Sequence, residues 1–326
     1  MIALDSADVR ALLTVPDAIE IVEDAMKQTS NGRATLPLRH ALDVGAPNML
    51  GIMPGAMEDP ACFGTKLISL FPKNPAHGHS SHLGMMVLFE RAFGTPIAIM
   101  NAGLLTAIRT AAASAVATRA LARKDAKILT IIGTGEQAIH HIAAICAVRD
   151  IAEVRLVGRK LVNAGDLAAR LALQHPEIRF IGSDSAQKSV TDADIICTVT
   201  SSHETVLYGA WVPEGCHVNA VGASAPLYRE IDQDLVTTAA LYVDYRPSAL
   251  HQARDIIEAI KAGKITEDHI IAEIGEVLDR RAPGRRNPTE ITLYRSMGIA
   301  AQDLACAHHI LERANKQGVG TEISIM

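Results

Sequence analysis

Residues 127–138 read KILTIIGTGEQA, an apolar run that ends in two glycines one residue apart and passes straight into a helical pattern. A short apolar run without polar alternation marks a parallel strand covered on both faces. Gly133-Thr134-Gly135-Glu136-Gln137-Ala138 then has the form GxGxxA. Between strand and helix, the first glycine permits the tight turn and the second lets backbone approach a pyrophosphate. The small third residue lets helix pack closely on strand. The helix N-terminus adds free N–H groups and the positive end of its dipole. The alternative is a plain glycine turn in an α/β domain. The strand–turn–helix context favours a dinucleotide site.

The chain after this turn keeps alternating. A helix is expected to about Val148, a strand at Glu153–Val157, a helix at Asn163–Leu173 and a strand near Ile178–Ile181. Further strands read at Asp194–Val199, His217–Val221 and Leu241–Val243, a doubly wound α/β pattern. Before the turn lie a helix after Asp5–Ser6, a helix at Pro16–Asn31, and short segments broken by Pro and Gly that read as strands of an antiparallel or mixed sheet. An Ala-rich helix, roughly Leu104 to Arg123, leads into the turn, and a second is expected at Ser296–Ala314.

Composition narrows the function. The 326 residues carry 31 Lys and Arg against 36 Asp and Glu, which argues against an electrostatic hold on nucleic-acid phosphates. Aromatics are 3 %, too few for a base-stacking platform. No apolar run approaches the ~20 residues that span a bilayer, and the N-terminal stretch lacks a basic n-region. The five cysteines are widely spaced without CxxC, so neither disulfides nor zinc is expected, and a cytoplasmic setting is the default. His77, His79 and His82 have loose metal-like spacing without a further ligand pattern, and no metal is expected.

The end of the second strand of a dinucleotide fold selects the cofactor. A carboxylate there accepts from the ribose 2′-OH of NAD. Here the strand ends in Gly158-Arg159-Lys160, with Asn163 close behind. The two cations suit a 2′-phosphate, so NADP(H) is expected, with NADH possible. In the N-terminal zone Arg39, Lys66, His82 and Arg109 stand on expected strands or near a helix start, amid apolar residues. Lys and Arg are seldom buried without a partner. Two arginines suit a substrate carboxylate, and a desolvated lysine can serve as acid or base near neutral pH. His82 is a further candidate substrate contact.

The strings GTKLISLFP, LLTAIRTAAASAVATRALA, IIGTGEQA, ADIICTVTSS, VPEGCHVNAVGASAP, EIGEVL and LYRSMGIAAQDLA occur in order along nearly the whole chain. Together they resemble the ornithine cyclodeaminase/mu-crystallin family. The resemblance implies a Rossmann domain (residues 119–299) inserted into an α+β substrate and dimerisation domain (1–118 plus 300–326). It further implies a homodimer with a substrate cleft between domains. By the matching motifs it makes Lys66 the catalytic lysine, and Arg39 and Arg109 the arginines for the substrate carboxylate. It also assigns Thr110, Thr198, Val199, Thr200, Val221, Ala223, Met297 and Gly298 to the cofactor.

One departure bears on the activity. Cyclodeaminases and alanine dehydrogenases of this family carry an aspartate where this chain, in Val221-Gly222-Ala223-Ser224, has Ser224. A serine resembles the ketimine reductase and Δ1-pyrroline-2-carboxylate reductase branch. A hydroxyl can orient substrate or water but is no general base near neutrality without help. The expectation is NADPH-dependent reduction of a small cyclic imine with a 2-carboxylate, giving L-proline or L-pipecolate. The alternatives are an NAD-dependent cyclodeaminase or amino-acid dehydrogenase, and a non-catalytic NADPH-binding protein. His140 and His141 read as structural or phosphate-adjacent, and Arg280–Arg286 as a solvated loop. Ile270–Leu278 reads as a helix bearing Glu273 and Glu276 in a structural or interdomain role.

Overall fold

A computed structural model describes residues 1–225 and 227–324. Pro226, which closes the GASAP string quoted above, lies outside the described residues, as do the last two residues of the expected substrate domain. The chain forms two compact units, Met1–Thr110 with Ile299–Met326, and Ala111–Gly298.

The first unit begins with β1 (Ile2–Leu4), α1 (Ser6–Leu12), α2 (Val15–Ser30), β2 (Ala34–Thr35), β3 (His40–Asp43) and β4 (Met49–Met57). It continues through β5 (Cys62–Leu70), β6 (His82–Glu90), β7 (Pro96–Asn101) and the start of α3 (Ala102–Leu121). The second unit holds β8 (Ile128–Ile132), α4 (Glu136–Cys146), β9 (Glu153–Val157), α5 (Leu161–Gln174), β10 (Arg179–Ser183), α6 (Ala186–Val190) and β11 (Ile195–Thr198). Then come β12 (His217–Ala220), α7 (Gln233–Thr238), β13 (Ala240–Val243), α8 (Arg246–Gln252), α9 (Arg254–Lys261), β14 (Ile270–Glu273), α10 (Ile274–Leu278) and β15 (Thr292–Arg295). The first unit resumes with α11 (Ala300–Gln317) and β16 (Thr321–Glu322).

In the first unit the sheet order is β16-β1-β7-β6-β5-β4-β2, with β3 also on β4. The long strands β4 to β7 pair antiparallel. β5 shows the reason: Cys62, Gly64, Lys66 and Ile68 are buried, while Phe63, Thr65, Leu67 and Ser69 are only half-buried. That period-2 alternation gives the sheet one covered face and one open face. α11 lies against β4, β5 and β6 on the covered side, with α2 beside it. α2 starts where Thr14 caps it, its hydroxyl accepting from Asp17 N at 3.3 Å.

In the second unit eight parallel strands run in the order β10-β9-β8-β11-β12-β15-β13-β14. The order reverses direction between β8 and β11, the switch point where such sheets bind ligands at the strands' carboxyl ends. Buried Ile, Val, Leu and Ala from the strands and from α7, α8 and α9 form the core on one side.

Three expectations need correction. The helix expected from Ser296 starts at Ala300, because Thr292–Arg295 is a fully buried strand between β12 and β13. Ile270–Leu278 is a strand and then a short helix; Glu273 and Glu276 form its capping box. The Arg280–Arg286 segment is not simply solvated. Arg285 donates to the carbonyls of Leu121 (2.7 Å), Cys216 (3.2 Å) and Glu290, and to Thr292 Oγ1 (3.0 Å). Among the described residues no helix is long and apolar enough to cross a membrane.

Candidate functional site

The site residues read from the sequence fall into two groups, one in each unit. In the first unit, Lys66 sits at the middle of β5 with Met53 and Met86 as its cross-strand neighbours. The alternation of β5 turns it to the covered face, where it is 1 % exposed. There its Nζ donates to both oxygens of Asp303, at 2.9 and 2.8 Å. Arg109, from the first half of α3, donates its Nε to the same carboxylate at 2.9 Å and a terminal nitrogen to Gln302 Oε1 at 2.9 Å. Asp303 and Gln302, both fully buried, come from the first turn of α11. The amide nitrogen of Gln302 has no partner.

One carboxylate thus faces two cations. Burial and the Arg109 charge depress the Lys66 ammonium to about 7, against the opposing pull of Asp303, and the Arg39 charge adds to the fall. Burial pushes the Asp303 carboxyl up, but the Arg109 and Lys66 charges outweigh it and hold it below the ordinary range. Arg39 lies in the irregular segment between β2 and β3 rather than on a strand, and is half-buried. His82 opens β6, with its Nδ1 2.8 Å from Ser81 Oγ. Its side chain is exposed, yet the protein around the ring and the Lys66 charge hold its pKa below the ordinary value. Thr110 is buried on α3 and belongs to this unit.

In the second unit, Gly133 takes φ +130°, and a Cβ there would lie 2.8 Å from Val199 O, so only glycine suits this turn. Gly133 N donates to Val157 O at 2.9 Å, and a Cβ on Gly158 would touch Thr134 Cγ2 at 3.0 Å. The ends of β9 and β11 therefore meet the Gly133–Gln137 turn. Arg159, Lys160 and Asn163 follow on the exposed rim. α4 has no side-chain cap at Gly135, a Cβ at Gly135 would meet nothing within 4 Å, and the buried Gln137 Oε1 has no partner. The N-terminus of α4, open space above the turn and an orphaned polar atom fit a dinucleotide pyrophosphate. Thr198, Val199, Val221 and Ala223 are buried at the ends of β11 and β12, with Thr200 and Ser224 half-buried beside them. Met297 and Gly298 are buried, their N–H groups held by Asp244 Oδ2 at 2.9 and 2.6 Å. His141 is structural: buried, held by Ser114 Oγ (3.0 Å) and Gln137 O (2.8 Å), and pushed by burial down to about 4.

Sequence reading missed Asp303, Gln302, Asp244 and Glu230. The signal for Asp303 was present: a lone acid in the run GIAAQDLACA, on a helix face otherwise made of small apolar residues. A buried acid in such a face requires a cation.

A Rossmann-type sheet in the second unit, inserted in the chain between the two segments of a first unit that buries a lysine beside an arginine, defines the class: a nicotinamide-dependent oxidoreductase acting on C=N or CH–NH bonds. The chain belongs to the ornithine cyclodeaminase/mu-crystallin family, whose profile matches residues 1–318. It is 34 % identical over 325 residues to the Δ(1)-pyrroline-2-carboxylate reductase of Bacillus cereus, covering 99 % of each chain. Its fold matches that of the Thermococcus litoralis Δ(1)-pyrroline-2-carboxylate reductase in complex with NADH and L-proline. There the TM-score is 0.95 at 36 % identity, over 99 % of this chain and 100 % of the other. It also matches an archaeal alanine dehydrogenase dimer with bound NAD, with TM-score 0.93 and 30 % identity over 100 % and 99 % of the chains.

Proposed function

We propose that this protein reduces a small cyclic imine bearing a carboxylate on the imine carbon, Δ1-pyrroline-2-carboxylate or Δ1-piperideine-2-carboxylate, to L-proline or L-pipecolate. The observation that carries this reading is the Lys66–Asp303–Arg109 cluster. One anion, Asp303, faces the two buried cations Lys66 and Arg109, and a substrate carboxylate brought beside them supplies a second negative charge. Arg109 and Arg39 hold that carboxylate, and the unpartnered Gln302 amide nitrogen is a further donor beside them. Arg109 already spends its Nε and one terminal nitrogen on Asp303 and Gln302. It is therefore oriented in advance rather than free to fork onto the ligand with those edges.

Bound NAD(P)H supplies a hydride to the imine carbon. Lys66 delivers the matching proton to the imine nitrogen, becomes the neutral amine and regains a proton from solvent before the next turnover. A pKa near 7 suits both halves of that cycle. Ser224 offers no carboxylate to act as base on an amine, which favours simple imine reduction over cyclodeamination or alanine oxidation.

NADPH is the preferred donor in this reading, supported by Arg159 and Lys160 on the exposed rim after β9, with NADH as the alternative. The protein is a homodimer. Leu50 and Ile52 of β4, Phe63 and Leu67 of β5, and Leu83 and Met85 of β6 share the open face of the first unit's sheet. An apolar patch of that kind calls for a partner. Five free cysteines suit a reducing cytoplasm. The test is a steady-state screen of both imines against NADPH and NADH. Cofactor oxidation with one of them is expected; no turnover of either imine with either cofactor, from acidic to basic pH, overturns the reading.

A further inference from the structure

The second unit buries a carboxylate that imine chemistry does not use. Glu230, between β12 and α7, is 2 % exposed and accepts five hydrogen bonds. Its Oε2 takes Thr198 Oγ1 at 2.9 Å, Gly222 N at 2.6 Å and Ala223 N at 3.1 Å. Its Oε1 takes Thr200 N at 2.6 Å and Thr200 Oγ1 at 2.8 Å. All five donors stand at or just beyond the carboxyl ends of β11 and β12, two adjacent parallel strands. Burial raises the carboxyl above its ordinary value, and the Thr200 and Thr198 donors and the Arg295 charge only partly offset this. Only a carboxylate can accept at both oxygens, since an amide would turn its own N–H groups toward donors.

The carboxylate also fixes how the two loops meet the glycine turn. Thr200 N–H points into Glu230, and the carbonyl of the same peptide, Val199 O, stands over Gly133. Gly222 approaches so closely that a Cβ there would lie 2.0 Å from Thr200 O. In a sheet of this order the pyrophosphate sits on the turn after β8 and the adenosine ribose beside the end of β9. The other half of the dinucleotide then lies over the ends of β11 and β12, across the switch point.

We propose that Glu230 is a positioning residue for the nicotinamide half of the cofactor, acting by holding the Thr198–Thr200 and Gly222–Ala223 backbones as one preformed surface. The inference rests on the dinucleotide reading above. The test compares the dissociation constants of NADPH, NADH and ADP-ribose, which lacks the nicotinamide ring, for the unaltered chain, Glu230→Gln and Glu230→Asp. Glu230→Gln is expected to weaken both dinucleotides at least tenfold and to change ADP-ribose binding less than twofold. Glu230→Asp, which keeps the charge, is expected to recover part of the loss. Equal weakening of all three ligands, or unchanged binding by folded Glu230→Gln, overturns the proposal. If Glu230→Gln does not fold, Thr200→Val decides. It removes one donor and is expected to weaken the two dinucleotides severalfold while sparing ADP-ribose; no such split overturns the proposal. Failure of the unaltered chain to bind any dinucleotide would overturn the cofactor reading together with this one, and is read separately from the variants.

Discussion

Asp303 is one charge shared between two cations, and this sharing sets the pH behaviour of the site. With Lys66 at about 7 in the free protein, its acid form is lost as pH rises through that value. kcat/KM for imine reduction is therefore expected to fall above about pH 7. A bound substrate carboxylate adds a second anion and raises the Lys66 pKa, so kcat, which reports the complex, should fall only at higher pH. Coincident limbs in the two profiles would refute this. Stability runs the other way: between about 7 and the ordinary lysine value the unfolded chain binds a proton that the folded one does not. The Lys66 contribution to stability thus rises over the window in which activity declines. Lys66→Ala is expected to lower kcat by roughly 10²–10⁴-fold, the range of a lost general acid, with little change in dinucleotide affinity. Asp303→Asn leaves two buried cations without their anion. It is expected to move the kcat/KM limb below 7, a shift read directly from the profile, and to cost about 3–5 kcal/mol of stability. At the rim, Arg159→Ala with Lys160→Ala should raise KM for NADPH about tenfold or more and leave KM for NADH nearly unchanged. An equal effect on both cofactors would remove these cations from 2′-phosphate recognition.

Among the elements, those that follow one simple rule were legible in the sequence. β8 is a bare apolar run, β5 alternates, and α4 follows a glycine turn, so strand, strand and helix could be assigned from Ile128–Ile132, Cys62–Leu70 and Glu136–Cys146. β15 obeys neither pattern. Thr292 and Arg295 are polar residues in a wholly buried strand, admitted because each has a partner distant in the chain. Arg295 donates to both oxygens of Asp255 (3.1 and 2.8 Å) and to the carbonyls of Ala220 (3.3 Å) and Ala223 (2.6 Å). Partners 40 and 75 residues away in the chain leave no local trace. The same holds within the site. Lys66 and Arg109 stood out as lone cations in apolar surroundings, whereas Asp303 became meaningful only with its two donors beside it. Arg285 ties α3, β12 and β15 in this manner. Arg285→Ala strands buried carbonyls and is expected to cost roughly 1–3 kcal/mol, seen as a Tm several degrees lower with dinucleotide affinity retained.

On the scale of the whole molecule, the open face of the first unit's sheet is the surface on which the dimer proposed above is tested. Leu83 is 45 % and Met85 44 % exposed on β6, and Leu42 on β3 is 48 % exposed. Met85→Glu puts a charge in the middle of that face, where pairing two copies would desolvate it. The expected outcome is a shift from dimer to monomer in light scattering; an unchanged mass places the dimer contact elsewhere. The same unit is built from segments on either side of the dinucleotide unit, and Lys66 lies 237 residues before its counterion Asp303. A ribosome adding roughly 5–20 residues per second needs tens of seconds to cover that distance. Until α11 emerges, the newborn sheet has no lid for its greasy side and its central lysine has no anion to settle against. A nascent chain stalled anywhere short of α11 is thus inert as a reductase, however complete its dinucleotide unit has become.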